Sequence, residues 1–381
     1  MSGVALIAAT YGMARLGFGL FLPAFSDSFA LAPTASGLLS SGASILYCIA
    51  AGIGFRHAAL NPRAVTRLAG LSAAVGSVGI ASAQTTAVFA AAVLLAGMGA
   101  GFASPALIEL VQRNAAPSRQ GRLQSVVNSG TGFGVIVAGA LSLVLGDAWR
   151  LAWVLVAVIA AASTLGVLHL DRRRRTSSRG ASRLSLPART SFHGLGRPLI
   201  GAFVFGIGCS AVWVYGRTVL EAAGGMSTEE SAGAWMALGI GGAGATLAAR
   251  WLATRPIATT WSVAVFATAG ATALIGAVPG TLLPAYAAAM LFGLAYTAAS
   301  SVLILWASAV AVNSAAGTSV LFIALVLGQA AGAVMTGFLI EAGTALVAFT
   351  AAALACAIST VVVAGVRTPT TVNPAHPPGS P

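Results

Sequence analysis

The chain has 381 residues, of which 57% are hydrophobic and only 7% are charged. A soluble globular domain carries roughly 25% charged residues, so this composition excludes an ordinary water-soluble fold. The formal net charge is +12, and all twenty basic residues are arginines, most of which stand between apolar runs. This placement indicates membrane topology rather than nucleic-acid binding, and no nucleic-acid partner is expected.

Long apolar runs predict an all-α membrane protein with about twelve transmembrane helices, because a helix needs roughly 20 residues to cross a bilayer. The first run lacks a basic segment in front of it and continues through Pro23, which favours a spanning helix over a cleaved signal peptide. The predicted spans are 4–25, 33–55, 66–83, 87–109, 124–146, 149–170, 198–220, 231–252, 258–278, 281–308, 315–340 and 343–366.

The arginines between the spans predict the orientation of the chain. Even-numbered connections hold most of them, whereas the odd-numbered connections hold only Arg150 and the borderline Arg217. Because positively charged loops stay in the cytoplasm, both termini are predicted to be cytoplasmic. Abundant alanine, glycine and arginine without lysine favours a bacterial protein, and therefore the cytoplasmic (inner) membrane.

A polar segment divides the chain into two predicted halves. Residues 1–170 form the first six-helix half, 171–197 a basic cytoplasmic linker suited to anionic lipid, 198–366 the second half, and 367–381 a disordered cytoplasmic tail. An offset of 196 residues superposes glycines of the two halves, as parallel repeats in secondary transporters do. The matched glycines are Gly12 with Gly208, Gly37 with Gly233, Gly97 with Gly293, Gly121 with Gly317, and Gly132 with Gly328.

Several stretches resemble the major facilitator superfamily. Residues 116–122 (APSRQGR) and 128–134 (NSGTGFG) are similar to its passage from helix four into helix five. Residues 317–319 and 328–332 resemble the matching passage into helix eleven, and 34–37 and 230–233 the starts of helices two and eight. The resemblance implies two six-helix bundles that rock about a central site, exposing it alternately to each side of the membrane.

Two positions depart from that family pattern. The connection between helices two and three, residues 54–63 (GFRHAALNPR), lacks the usual Asp, so its gating ion pair is in doubt. Val93 stands four residues before Gly97, where the drug–proton antiporters of the superfamily usually carry an Arg. The second departure weighs against proton-driven drug efflux.

Arg15 is the sharpest functional candidate, since it lies near the middle of the first predicted span. A charge at that depth costs several kcal/mol, so it must face a wet cavity or a partner. Tyr11 is one turn before it on the same helix face, and Phe18 is nearly one turn after it. Arg15 is interpreted as binding an anionic group of a substrate. The alternative is a structural hydrogen bond to backbone carbonyls.

The remaining candidates lie on helices that the resemblance places around the cavity or at its cytoplasmic end. The candidate substrate-binding residues are Tyr11, Arg15, Trp213, Tyr296, Trp306 and Asn128. The candidate gating residues are Glu109, Arg113 and Arg122. Glu109 and Arg113 could instead form an ordinary pair four residues apart on one helix surface. Arg217 is interpreted as a side chain that reaches to the outer interface, with substrate binding as the alternative.

The leading functional hypothesis is a monomeric secondary transporter of a small organic solute, for which an anion is one option. None of the eight acidic residues lies at mid-span, which argues for exchange or uniport over proton coupling, although a proton remains a candidate partner beside a counter-solute. The alternatives are proton-coupled efflux of multiple drugs or hydrophobic compounds, and a non-transporting membrane sensor. Scattered histidines and isolated cysteines predict no enzyme, no cofactor and no metal site.

Overall fold

The computed structural model describes residues 1–171, 194–311 and 314–363, and this part of the chain is helical without any strand. Eleven of its helices are long and apolar enough to cross a membrane. The first six are α1 (Ser2–Phe29), α2 (Pro33–Ala58), α3 (Pro62–Ser82), α4 (Thr86–Asn114), α5 (Pro117–Asn128 and Gly130–Leu145) and α6 (Trp149–Leu170). The next six are α7 (Gly196–Ala222), α8 (Thr228–Gly244), α9 (Ile257–Ala277), α10 (Leu282–Val310), α11 (Ser314–Ala342) and α12 (Ala345–Ile358).

The predicted fold class, an all-α membrane protein with about twelve spans, is confirmed. The regular part of α8 has 17 residues, and the chain continues it through a 3₁₀ turn (Ala245–Ala248) and a short helix (Ala249–Thr254). Helix α7 begins at Gly196, inside the segment that the sequence assigned to the linker. Residues 172–193 of the linker and the tail at 367–381 lie outside the described part.

Short polar residues set several helix starts. The side chains of Asn61, Thr85, Ser227 and Thr344 each accept a hydrogen bond from a backbone N–H in the first turn of the following helix. At α8, Ser227 and Glu230 form a reciprocal capping box. These caps satisfy donors that a helix cannot pair internally, which matters most near a membrane interface.

The two halves repeat one packing arrangement. In each half, two glycines four residues apart lie so close to backbone carbonyls of the first helix that a Cβ atom would overlap them. The glycine–carbonyl pairs are Gly130 with Val4, Gly134 with Ala8, Gly328 with Phe203 and Gly332 with Ile207. The repeated glycines are 198 residues apart, so the offset of 196 read from the sequence does not describe this helix pair.

The halves meet at the end of the bundle that lies away from the N-terminus, here called the far side. Helix α1 runs toward it and α2 returns from it, so Phe29 and Pro33 are both at the far side. The hydroxyl of Tyr215 in α7 donates to the carbonyl of Pro33 over 2.9 Å. The backbone N–H of Thr34 donates to the carboxylate of Glu341 over 3.2 Å. These contacts join the two halves at the far side.

Candidate functional site

Two stretches of widened helix lie at the centre of the bundle. Residues Ala8–Arg15 of α1 and Ala211–Tyr215 of α7 are π-helical, and the N–H of Leu16 bonds to the carbonyl of Tyr11, five residues back. Such π-turns are rare and often occur at functional sites. Arg15 ends the first stretch and Trp213 is in the second, so both candidates lie on locally distorted helix.

A small cavity of about 40 Å³ is lined by residues of both stretches. Its walls come from α1, α2 and α4 of the first half and from α7 and α11 of the second. Among the described residues that line it, Arg15 is the single charged side chain. Its other polar or aromatic lining residues are Phe18, Ser40, Ser44, Ser210, Trp213 and Gln329.

The guanidinium of Arg15 is held by neutral groups only. Its Nη2 donates to the amide oxygen of Gln329 over 3.2 Å and reaches the hydroxyl of Ser44 at 3.5 Å. The rings of Tyr11 and Tyr47 lie against it, with centroids 5.0 Å and 4.7 Å from Cζ. Its Nε and Nη1 are buried and have no acceptor in the described structure. Buried unpaired donors are unfavourable, which leaves Arg15 ready to bind an acceptor.

Gln329 links Arg15 by hydrogen bonds to the aromatic side chains of the second half. The amide nitrogen of Gln329 donates to the hydroxyl of Tyr296 over 3.1 Å. The ring of Tyr296 packs edge-on against Trp213, with centroids 5.2 Å apart. The indole Nε1 of Trp213 is buried and also lacks an acceptor among described residues. The structure therefore brings together four sequence candidates, namely Tyr11, Arg15, Trp213 and Tyr296.

Trp306 and Asn128, the other two binding candidates, are not in the cavity wall. Trp306 is 2% exposed and packs edge-on against Trp261, with ring centroids 6.0 Å apart. Asn128 is exposed, and its side-chain oxygen accepts a hydrogen bond from Gln124 of the same helix over 3.5 Å. Both side chains have partners that need no ligand.

The candidate gating residues make a different contact from the one expected. Arg113 does not pair with Glu109 but forms an ion pair with Asp171, whose side chain is only 1% exposed. Asp171 also binds Arg63 over 3.3 Å and the side-chain nitrogen of Asn114 over 2.9 Å. This cluster fastens α3, α4 and α6 together. The side chain of Arg122 lies outside the described part.

Sequence reasoning missed Asp171, Ser44 and Tyr47. Asp171 carried a signal, because it is an isolated acid at the end of a span and four arginines follow it directly. Ser44 and Tyr47 are three residues apart in α2 and therefore share a helix face. Polar side chains on one face of an apolar span could have indicated a second wall of the cavity.

The interpretation of Arg217 as a side chain reaching to the interface is wrong. It is 4% exposed, and all three of its guanidinium nitrogens donate hydrogen bonds. Its Nε bonds to the carboxylate of Glu221 over 2.7 Å, and its Nη1 to the carbonyl of Leu20 over 2.6 Å. Burial with so many partners excludes both interfacial exposure and a free role in the cavity.

Known proteins of the same fold support a family assignment. A family model described as Major Facilitator Superfamily matches residues 4–325. No curated protein matches the sequence. The structure is similar to that of a D-xylose–proton symporter, with a TM-score of 0.77 at 14% identity over 94% of this chain and 95% of that one.

Two further solved structures are similar over nearly their whole length. A bacterial homologue of the human lysosomal transporter Spinster, inward-facing and unoccupied, has a TM-score of 0.71 at 15% identity, covering 95% of this chain and 93% of that one. The human organic anion transporter MFSD10 has a TM-score of 0.70 at 17% identity, covering 95% and 99%. Identities this low show the fold alone. Together with the family match, they show that this multi-pass membrane protein belongs to the major facilitator superfamily of transporters.

Proposed function

We propose that the protein is a secondary transporter of a small organic solute whose anionic group binds Arg15. The observation that carries this proposal is the state of that guanidinium. Two of its nitrogens are buried without an acceptor, inside a cavity between the halves that no described acidic residue lines. An anion would supply charge-assisted hydrogen bonds where the protein supplies none.

The arrangement of the halves supports alternating access. The cavity has walls from both halves, and contacts such as Tyr215 with Pro33 join the halves at the far side. Rocking the halves would exchange these contacts for others and open the cavity to the far side. Because the carboxylate-free lining offers no obvious proton carrier, we propose exchange or uniport, with a counter-solute as the coupled partner.

The topology read from the sequence completes the proposal. The halves 1–170 and 198–366 would be joined by a cytoplasmic linker at 171–197, with both termini in the cytoplasm. The far side would then face away from the cytoplasm of a bacterial inner membrane. We propose that the protein acts as a monomer in contact with anionic lipid, since one chain provides every described wall of the cavity.

The test compares purified wild type, Arg15→Gln and the control Arg150→Gln in detergent. Arg150 is also an arginine of a spanning helix, but it binds the carbonyls of Ala81 and Ala83 away from the cavity. The melting temperature is measured with anionic, neutral and cationic solutes. A ligand at 100 times its dissociation constant stabilises the folded state by roughly 2.7 kcal/mol. Anions are expected to stabilise wild type and Arg150→Gln but not Arg15→Gln.

Uptake of the stabilising anion into liposomes containing the protein is the second part of the test. Wild type is expected to move the anion across the bilayer, and Arg15→Gln is not. Equal stabilisation of all three proteins by cations or apolar compounds would reject the anion site. It would also make Arg15 structural and favour efflux of hydrophobic compounds. Binding without flux in wild type would instead indicate a sensor.

A further inference from the structure

The described lining of the cavity can neutralise one negative charge of a ligand. Arg15 is the single cation among the described residues that line it. Arg217, a buried arginine at the junction of the halves, cannot turn toward a ligand, because each of its nitrogens already binds Glu221, Ser142, the carbonyl of Thr228 or another acceptor. A second negative charge in the cavity would therefore be desolvated without a partner, which is strongly unfavourable.

A second free donor faces the same cavity from the other half. The Nε1 of Trp213 is buried without an acceptor, and Trp213 is 7% exposed and lines the cavity. The indole nitrogens of Trp153 and Trp235 are also unpaired, but neither residue lines the cavity. Trp213 thus differs from them by its access to a ligand.

Arg15 and Trp213 come from helices that touch. Gly19, one turn beyond Arg15 in α1, lies so close to the backbone carbonyl of Trp213 that a Cβ atom would overlap it. Small residues on α1, α2 and α4, including Ala14, Ala43 and Gly97, line the same cavity as these two side chains. The cavity thus has an unpaired donor residue from each half in its wall.

We infer that the site selects singly charged carboxylates, with the carboxylate bridging one unpaired nitrogen of Arg15 and the Nε1 of Trp213. This inference rests on the proposed anion transport and names its substrate class. Trp213 is the specificity-determining donor of the second half, and Arg15 supplies the charge of the first. A bound monocarboxylate joins the halves around the cavity, whereas a dicarboxylate brings a charge that nothing in the described lining can pair.

The probes are acetate, hexanoate and benzoate, their neutral amides, and the dicarboxylates succinate and terephthalate, all at constant ionic strength. Dissociation constants are measured by calorimetry on the purified full-length protein, below its melting temperature. At least one monocarboxylate is expected to bind wild type. The corresponding amide and the dicarboxylates should bind wild type about tenfold more weakly, or more weakly still. The variant Trp213→Phe keeps an aromatic ring but loses the N–H, and should bind that monocarboxylate about tenfold more weakly.

Two further variants distinguish loss of the ligand-binding N–H from a change in the structure of the protein. Trp153→Phe makes the same deletion at an unpaired indole outside the cavity, which packs against Phe21 and Phe25, and its affinity for the monocarboxylate should equal that of wild type. Trp213→His retains a ring N–H and should recover part of the affinity that Trp213→Phe loses. Equal affinity losses in Trp213→Phe and Trp153→Phe would overturn the bridging role.

The outcomes separate this inference from the proposed function. If Arg15→Gln abolishes binding while Trp213→Phe binds as wild type does, the bridge is wrong and the anion site at Arg15 stands. If dicarboxylates bind more tightly than monocarboxylates, the charge limit is wrong and anion transport still stands. Methanesulfonate, a monoanion without a carboxylate, is the further probe: if it binds wild type and no carboxylate does, the carboxylate class alone falls. If no anion binds, both proposals fall.

Discussion

Arg15, which is half-buried, and Arg217, which is buried, both lie where the two halves meet, yet their surroundings are opposite. Arg217 donates from all three nitrogens, to a carboxylate, two hydroxyls and two backbone carbonyls. Arg15 donates only from Nη2, to an amide and a hydroxyl, and leaves two nitrogens without acceptors in the described structure. The hydrogen-bonding capacity of the guanidinium is used fully in Arg217 and only partly in Arg15.

The difference teaches how to tell a structural charge from a ligand-binding one in a membrane protein. A charge that the protein pairs completely stabilises one arrangement of helices, and here Arg217 joins Leu20 and Ser142 of the first half to the second half. A charge that the protein leaves partly unpaired keeps binding capacity for something else. Burial alone does not separate the two cases, whereas a count of acceptors does.

The largest difference in stability is expected when each arginine is replaced by methionine. Arg217→Met removes one partner of a buried ion pair, for which about 3–5 kcal/mol of destabilisation is expected. Arg15→Met removes two donors that have no acceptor, together with one well-formed hydrogen bond. The free energy of unfolding of this variant without ligand should therefore stay within about 1 kcal/mol of that of wild type. Melting of the purified proteins in detergent without added solute is the measurement. Equal losses would show that Arg15 is as structural as Arg217.

Glycine substitutions in α1 test whether the two halves must touch beside the cavity. In Gly19→Ala the new methyl group would overlap the carbonyl of Trp213, and overpacking of this kind costs about 1–3 kcal/mol. Gly17→Ala is the matched control, because a Cβ atom there meets nothing within 4 Å. The control should be neutral or more stable by up to about 1 kcal/mol. A similar melting temperature for both variants would argue against close contact of α1 with α7.

The smallest effect is expected from a single acceptor of Arg217. Ser142→Ala removes a hydroxyl that accepts from Nη1 over 2.8 Å across the halves, and about 1 kcal/mol should be lost. Ser163→Ala is the control, since in the described part of the chain that buried hydroxyl bonds to the carbonyl of Ala160 in its own helix. The control should lose a few tenths of a kcal/mol. A larger loss in Ser163→Ala than in Ser142→Ala would contradict the role of Arg217 in joining the halves.

Part of the candidate site could be predicted from the sequence. Arg15 stands out in any reading, because a charge in the middle of an apolar span must face a cavity or a partner. Tyr11 follows from helical spacing. Trp306 was chosen on the same grounds as Tyr296, yet one packs on Trp261 and the other contacts Gln329. Aromatic side chains suit both packing and binding, so the sequence does not distinguish them.

The sequence by itself determined the membrane environment and the approximate number of helices, because these follow from apolar length along one dimension. Only the tertiary structure decided which charges are paired. Asp171, rather than the neighbouring Glu109, binds Arg113, and Arg217 binds acceptors that are up to 197 positions away in the chain. Hydrogen-bond saturation depends on distances between helices, and those distances are set by how the helices pack rather than by their order.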